Sequence, residues 1–287
     1  FDGDKALIKA FLAWGKATHP RWYAEIGGDR SPAETRAVIL ETLLVDEVDE
    51  VAPVMFFAGL PEEQRRAAVA AMNAANDDDD DDAADDDDAP ASTPGAVTIA
   101  RVTWRPGDTT LNLFGRKLTQ LPDAIGQCTS LTKLILCDNR LTTLPAAIGN
   151  LAQLEWLDLH SNPITQLPPE ITRCTKLETL VLFECTQLTL PALPTLETVN
   201  VQQTSVALVR SLGLSSSLER IFARSCDLTA VPDELRALKQ LTTIDLTDNR
   251  LVALPRWLAE LPLETVTVAG NPLPAAELAW LESILKK

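Results

Sequence analysis

The sequence predicts an α/β solenoid of about eight parallel strands, preceded by a small all-α module. Three observations carry that prediction. After residue 107 apolar residues recur with a period of about 23 residues, the periods open with Leu-x-x-Leu-x-Leu or a variant with Val or Ile, and most close with Pro-x-x-Ile-x-x-Leu or a near variant. The clearest copy runs Leu131, Leu134, Leu136, Asn139, Leu141, Leu144-Pro145, Ile148, Leu151. The next gives Leu154, Leu157, Leu159, Asn162, Ile164, Leu167-Pro168, Ile171 and Cys174, and the preceding one Leu111, Leu113, Leu118, Leu121-Pro122, Ile125 and Cys128. A copy from Leu177 is shortened to 19 residues, and further copies open at Leu196, Leu218, Leu241 and Leu263.

Each part of the period has its own physical reason. The last two leucines of Leu-x-x-Leu-x-Leu alternate with variable residues, which suits a short strand with one face buried. Asn at position nine carries two amide donors and a carbonyl, so a stack of them can satisfy backbone groups where the chain turns inward. The spacing of three in Pro145-x-x-Ile148-x-x-Leu151 marks a tight helical turn, with Pro tolerated at its start. Cys185 and Cys226 stand in for Asn at position nine, whereas Arg116 and Thr204 are expected to interrupt the ladder. The short repeat 177–195 and the stretch around Gly213 and Ser215–Ser217 predict a local kink or bulge.

These residues resemble the leucine-rich repeat family over about 108–273, in its 23-residue intracellular type, as in Ras-suppressor, Scribble and Erbin-like proteins and many bacterial homologues. The resemblance implies a horseshoe with its strands on the concave face and a role in scaffolding or signalling. Position nine departs from the family's Asn at Arg116 and Thr204.

A solenoid exposes apolar ends unless they are capped. Residues 96–107, with Val97, Ile99, Val102 and Trp104, suit a capping strand or hairpin, and 274–287 reads as a capping helix with Leu278, Leu281 and Leu285 on one side. Residues 1–76 form a different module: Leu7, Phe11 and Trp14 recur at helical spacing, Ser31-Pro32-x-Glu34 is a capping box, and Pro61-Glu62-Glu63 opens another helix. Residues 77–95 predict a disordered acidic linker.

The formal net charge is −16, from 25 basic and 41 acidic residues. Ten of the acids are Asp77–Asp82 and Asp85–Asp88, so the rest of the chain carries 25 basic against 31 acidic residues, a net −6. An acidic chain repels phosphate backbones and anionic headgroups, which argues against nucleic acid and membrane surfaces as partners. No apolar run approaches the ~20 residues that cross a bilayer. The first residue is Phe, which leaves open a trimmed chain, a removed leader or a longer product.

Chemistry-bearing patterns are sparse. There is no phosphate-cradling Gly-rich loop, no Gly-x-Ser-x-Gly and no His-Glu-x-x-His. The Asp run lacks the spaced ligands and turning Gly of a calcium loop. Five cysteines without Cys-x-x-Cys favour a reducing compartment, hence the cytoplasm. Four of them occupy interior or ladder positions. Cys137 takes position seven, facing the concave surface, and His160 takes the same position one strand away. That pair could be half a zinc site or a thiol nucleophile, but it shows no oriented third member, so variable surface residues are the favoured reading. No enzyme activity, cofactor or metal is expected.

Positions three, five and seven point away from the leucine filling. Position five supplies Ile135, Asp158, Val181 and Phe222, position seven Phe114, His160, Phe183 and Arg224, and position three Lys133, Trp156 and Arg220. The repeat's core does not require aromatic side chains there, so Phe114, Trp156, Phe183 and Phe222 are expected to stand exposed as a patch that docks a protein or peptide. One alternative is that the helical module folds over this patch. Another is a bacterial-type effector or enzyme-associated protein in which the repeats select substrate and the helices, or a further segment, supply activity. The sequence leaves the oligomeric state open.

Overall fold

The computed structural model describes residues 94–285. The expected helical module 1–76 and nearly all of the acidic linker lie outside those residues, as do Lys286 and Lys287.

The described chain opens with a hairpin, β1 (Val97–Ile99) against β2 (Val102–Trp104). Ala100 and Arg101 between them both have positive φ, the geometry that matches a two-residue turn to the strand twist. Val97, Ile99 and Trp104 are buried against the first repeat, and the Trp104 indole donates to the Asp108 carbonyl at 2.8 Å.

Eight parallel strands follow in chain order within one sheet: β3 (Thr110–Asn112), β4 (Lys133–Ile135), β5 (Trp156–Asp158), β6 (Thr179–Val181), β7 (Thr198–Asn200), β8 (Arg220–Phe222), β9 (Thr243–Asp245) and β10 (Thr265–Thr267). Their central residues align as Leu111, Leu134, Leu157, Leu180, Val199, Ile221, Ile244 and Val266. The fold is an α/β solenoid, as the period predicts. Because every strand follows its neighbour by one repeat, all the leucine rows superpose into one continuous core.

The return segments are 3-10 turns at Asp123–Gln127, Ala146–Asn150, Pro169–Arg173, Asp233–Ala237 and Arg256–Glu260. Each is preceded by a proline in extended conformation, and in Pro169–Arg173 a second proline opens the turn itself. The proline carbonyl then accepts the first turn bond, as from Ile125 N–H to Pro122 at 3.1 Å. Two such turns approach closely at Gly149, where a Cβ would lie 2.6 Å from the Glu170 carbonyl oxygen. Gly149→Ala is therefore expected to lower unfolding free energy by ~1–3 kcal/mol, read from urea denaturation, because backbone and not a flexible side chain must yield.

The ladder at position nine forms as predicted. The Asn139 amide donates to the carbonyls of Leu113 and Leu136, both at 2.8 Å, and its oxygen accepts from Leu118 N–H at 2.9 Å. Asn162 and Asn249 repeat this arrangement. Cys185 and Cys226 point their sulfurs at the carbonyls of Leu159 and Val201, at 3.4 and 3.0 Å. Thr204 corrects an expectation: its hydroxyl donates to the Val201 carbonyl and contacts the Cys226 sulfur, so the ladder continues through it with a shorter side chain.

The irregular middle also differs from the expected bulge. Strand register runs without a slip from Thr179 to Thr198 to Arg220. The irregularity is absorbed on the opposite side, where α1 (Val206–Ser211) and a 3-10 turn at Leu212–Leu214 replace the usual return. Ser205 caps α1 by accepting from Leu208 N–H at 3.2 Å.

The last repeat is covered by α2 (Ala275–Leu285). Leu281 is buried, and Trp280, Ile284 and Leu285 pack on the core beside it. Leu278, expected on the same side, is 41% exposed. It precedes Leu281 and Leu285 by three and seven residues, yet the seam runs through the 280/284 and 281/285 pairs, which turns Leu278 toward its edge.

Candidate binding face

Position eight builds the edge of this face. In every repeat it has positive φ: Gly115, Asp138, Ser161, Glu184, Gln203, Ser225, Asp248 and Gly270. That left-handed residue turns the chain off the strand and lets position nine enter the core. Its N–H reaches across to the position-seven carbonyl of the next repeat, as from Asp138 to His160 at 3.1 Å and from Asp248 to Ala269 at 2.8 Å. Six of the eight are not glycine, so this inter-repeat bond helps offset the ~1–2 kcal/mol that a left-handed L-residue costs.

Position five carries a second device. Asn112, Asp158, Asn200 and Asp245 each accept, through the side-chain oxygen, the N–H two residues on, at 2.9–3.1 Å. They alternate along the sheet with Ile135, Val181, Phe222 and Thr267. Asp158 therefore has a local structural task besides the docking role expected of it.

The expected site residues stand outside the leucine core, but the exposure predicted for the aromatics is corrected. Trp156 and Phe183 are only 6% and 3% exposed, and Ile135, Asp158 and Val181 are also buried. Phe114, His160, Phe222 and Arg224 are half-buried. One reason is contact between rows: strands about 4.8 Å apart bring long side chains against each other. The Lys133 ammonium lies 5.0 Å from the centre of the Trp156 ring, a cation–π contact, and the His160 and Phe183 rings are 5.7 Å apart. None of Ile135, Trp156, Val181, Phe183 or Phe222 joins the leucine cluster, so the register that separates the two sets holds.

The sheet groups these residues in two places. Ile135, Trp156, Asp158, His160, Val181 and Phe183 come from β4 to β6 and their ends. Phe222 and Arg224 lie two strands beyond β6, where the face is more open: Arg220 is exposed, with its Nε donating to the Thr198 hydroxyl at 2.8 Å. Arg224 is held by Asp248 at 2.6 Å across one repeat. Both partners are partly exposed, so this pair orients the guanidinium more than it stabilises the fold.

Sequence reasoning missed a third member beside Cys137 and His160. Asp158 Oδ1 lies 2.7 Å from His160 Nδ1, and one ligand atom each from Cys137, Asp158 and His160 falls within 4.8 Å of the others. The signal was present, since residues 158 and 160 share a strand face by alternation. Burial, then the Asp158 and Asp138 carboxylates, push the Cys137 thiol well above its ordinary pKa. Burial pulls the His160 imidazole down, but Asp158, Glu184 and Asp138 outweigh it and leave the pKa raised. A thiol nucleophile needs the imidazole to take its proton, with the carboxylate behind the ring. Here burial and the neighbouring carboxylates favour thiol over thiolate. The other four cysteines are free and buried, with Cys128 and Cys174 pushed up to about 11 by burial and Cys185 to about 12.

Comparison with known proteins bears on the repeat fold. Residues 109–185 match the family described as leucine rich repeat. A 57-residue stretch is 40% identical to receptor like protein 23 of Arabidopsis thaliana, covering 19% of this chain and 6% of that protein. Among solved structures, an LRR protein of Leptospira interrogans is 28% identical over 62% of this chain and 53% of its own, with a TM-score of 0.47. The TLR13–ssRNA13 complex gives 22% identity over 57% of this chain and 25% of that one, with a TM-score of 0.51, which supports the solenoid fold. The matched region thus spans about half of the bacterial structure and a small part of the plant protein. Among the described residues no helix is long and apolar enough to cross a membrane.

Proposed function

The chain belongs, through its repeat region, to the leucine-rich repeat family, and from that membership we propose a non-catalytic interaction module that captures a protein or peptide on the concave face of its sheet. The reading extends to a scaffolding or signalling role in the cytoplasm. What supports it is the separation of two sets of side chains on the same strands. Leucine-type residues fill the core, while Trp156, Phe183, Phe222, Arg220 and Arg224 stand outside it on positions the core does not use. Aromatic and Arg side chains are the types enriched at binding hot spots.

The frame that holds them is preorganised. Strand register, the position-nine ladder and the position-eight bonds fix the backbone, so docking need order little beyond side chains. Arg220 and Arg224 beside Asp245 and Asp248 offer a mixed-charge border suited to orienting a partner. The net charge of −16 disfavours a phosphate backbone as that partner.

The test begins with affinity purification from the native cell, followed by calorimetry with the purified captured protein. Phe222→Glu and Trp156→Ala are each expected to weaken binding by ~2 kcal/mol, about 30-fold, with the folded state retained by circular dichroism. Wild-type affinity in both variants would remove the concave face from consideration.

A further inference from the structure

We propose that Cys137, Asp158 and His160 form a zinc-binding site on the concave face, with three protein ligands and one coordination position left open. Cys137 and His160 occupy the same repeat position just past the ends of the adjacent strands β4 and β5, and Asp158 lies two residues before His160. Their ligand atoms already lie within 4.8 Å of one another. Zn–S of about 2.3 Å and Zn–N or Zn–O of about 2.0–2.2 Å, arranged tetrahedrally, need separations of about 3.3–3.8 Å, so the Asp158–His160 contact, at 2.7 Å, opens and the wider separations shorten by side-chain adjustments on the order of 1 Å.

The donor set selects the metal. Calcium and magnesium take oxygen ligands, whereas a thiolate, an imidazole and a carboxylate together suit zinc. The backbone that carries them is fixed on both strands: the Cys137 carbonyl accepts from Gly115 N–H and the His160 carbonyl from Asp138 N–H, each at 3.1 Å. Asp138 and Glu184 add negative charge around the cluster. Lys133, the nearby cation of β4, lies over the Trp156 ring. Zinc binding displaces the thiol proton to solvent and takes the imidazole in its neutral form, so the thiolate and carboxylate together balance the dication. The open fourth position accepts water or a donor atom from a docked partner.

The experiment uses the full chain with Zn²⁺ alone, and Co²⁺ as a spectroscopic substitute. One equivalent of Zn²⁺ is expected to bind, and Co²⁺ should give a thiolate-to-metal charge-transfer absorption. Cys137→Ser should abolish that absorption, and Asp158→Asn and His160→Ala should each lower Zn²⁺ affinity about 100-fold or more, beyond the tenfold-to-hundredfold range known for supporting residues. Asp158→Asn keeps the oxygen that accepts from His160 N–H, so it tests ligation even where another variant fails to fold. The proposal is overturned if the full chain takes up no Zn²⁺. It is equally overturned if uptake is undiminished in these variants, which would put the ion elsewhere, as on the aspartate run 77–88. Loss of stability in Asp158→Asn without loss of Zn²⁺ affinity would make the cluster a purely structural contact.

Discussion

Asn162→Ala is expected to lower the unfolding free energy by ~3 kcal/mol in urea denaturation, a large share of the ~5–15 kcal/mol typical of a folded chain. Its side chain accepts from Leu141 N–H at 3.0 Å and donates to the carbonyls of Leu136 and Leu159 at 3.0 Å and of His160 at 3.2 Å. The residue is buried, so water does not replace those partners readily. The carbonyls of Leu136 and Leu159 retain other donors in Asn139 and Cys185. Leu141 N–H loses its acceptor outright, and a stranded buried donor costs ~1–3 kcal/mol beyond the bonds removed. Asn162→Cys is expected to lose only about half as much, because the sulfur at Cys185 and Cys226 already serves carbonyls of the preceding repeat. Equal losses in the two variants would mean that the ladder matters through volume and not through hydrogen bonding.

The ladder also shows where sequence reading succeeds. Strand positions, 3-10 returns and position nine are set by residue type at fixed spacing, because the core is one-dimensional and each repeat meets only its neighbours. Thr204 escaped because its hydroxyl matches an Asn only when the local backbone brings it to the Val201 carbonyl, which residue type alone does not reveal. Position eight escaped for a related reason. Its left-handed backbone is occupied by Asp, Ser, Glu and Gln as well as Gly, so no residue preference announces it. On the candidate face, alternation placed Trp156 and Phe183 outside the leucine core correctly. Their burial depends on sums of contacts between rows, such as Lys133 over Trp156, and those are not encoded at any single position. Asp158 beside His160 was legible, since two residues apart on a strand means one face. Reading each repeat position as a separate row concealed it.

Leu157→Ala is expected to cost ~3–5 kcal/mol, whereas Val266→Ala should cost only ~1 kcal/mol. Both are central strand residues on the same row, but their surroundings differ. Leu157 is fully buried between Leu134 and Leu180 in the middle of the sheet, and all three residues of β5 are buried. Val266 is partly exposed on β10, whose flanking Thr265 and Thr267 face solvent and which pairs on one side only. Removing three carbons from the central strand leaves a cavity walled by residues pinned in register on both sides, so collapse is limited and the cavity cost adds to the transfer cost. At the last strand the end can relax and the deleted surface was already half in water. In a solenoid each interior repeat supports two interfaces and a terminal one supports a single interface, so the same contrast should appear in native-state hydrogen exchange. Amides of β10 are expected to exchange faster than those of β5, and Leu157→Ala should speed exchange in β4 and β6 before it reaches β10. A uniform loss of protection along the sheet would instead mean that the repeats unfold as one unit, with no gradient of stability from the centre to the end.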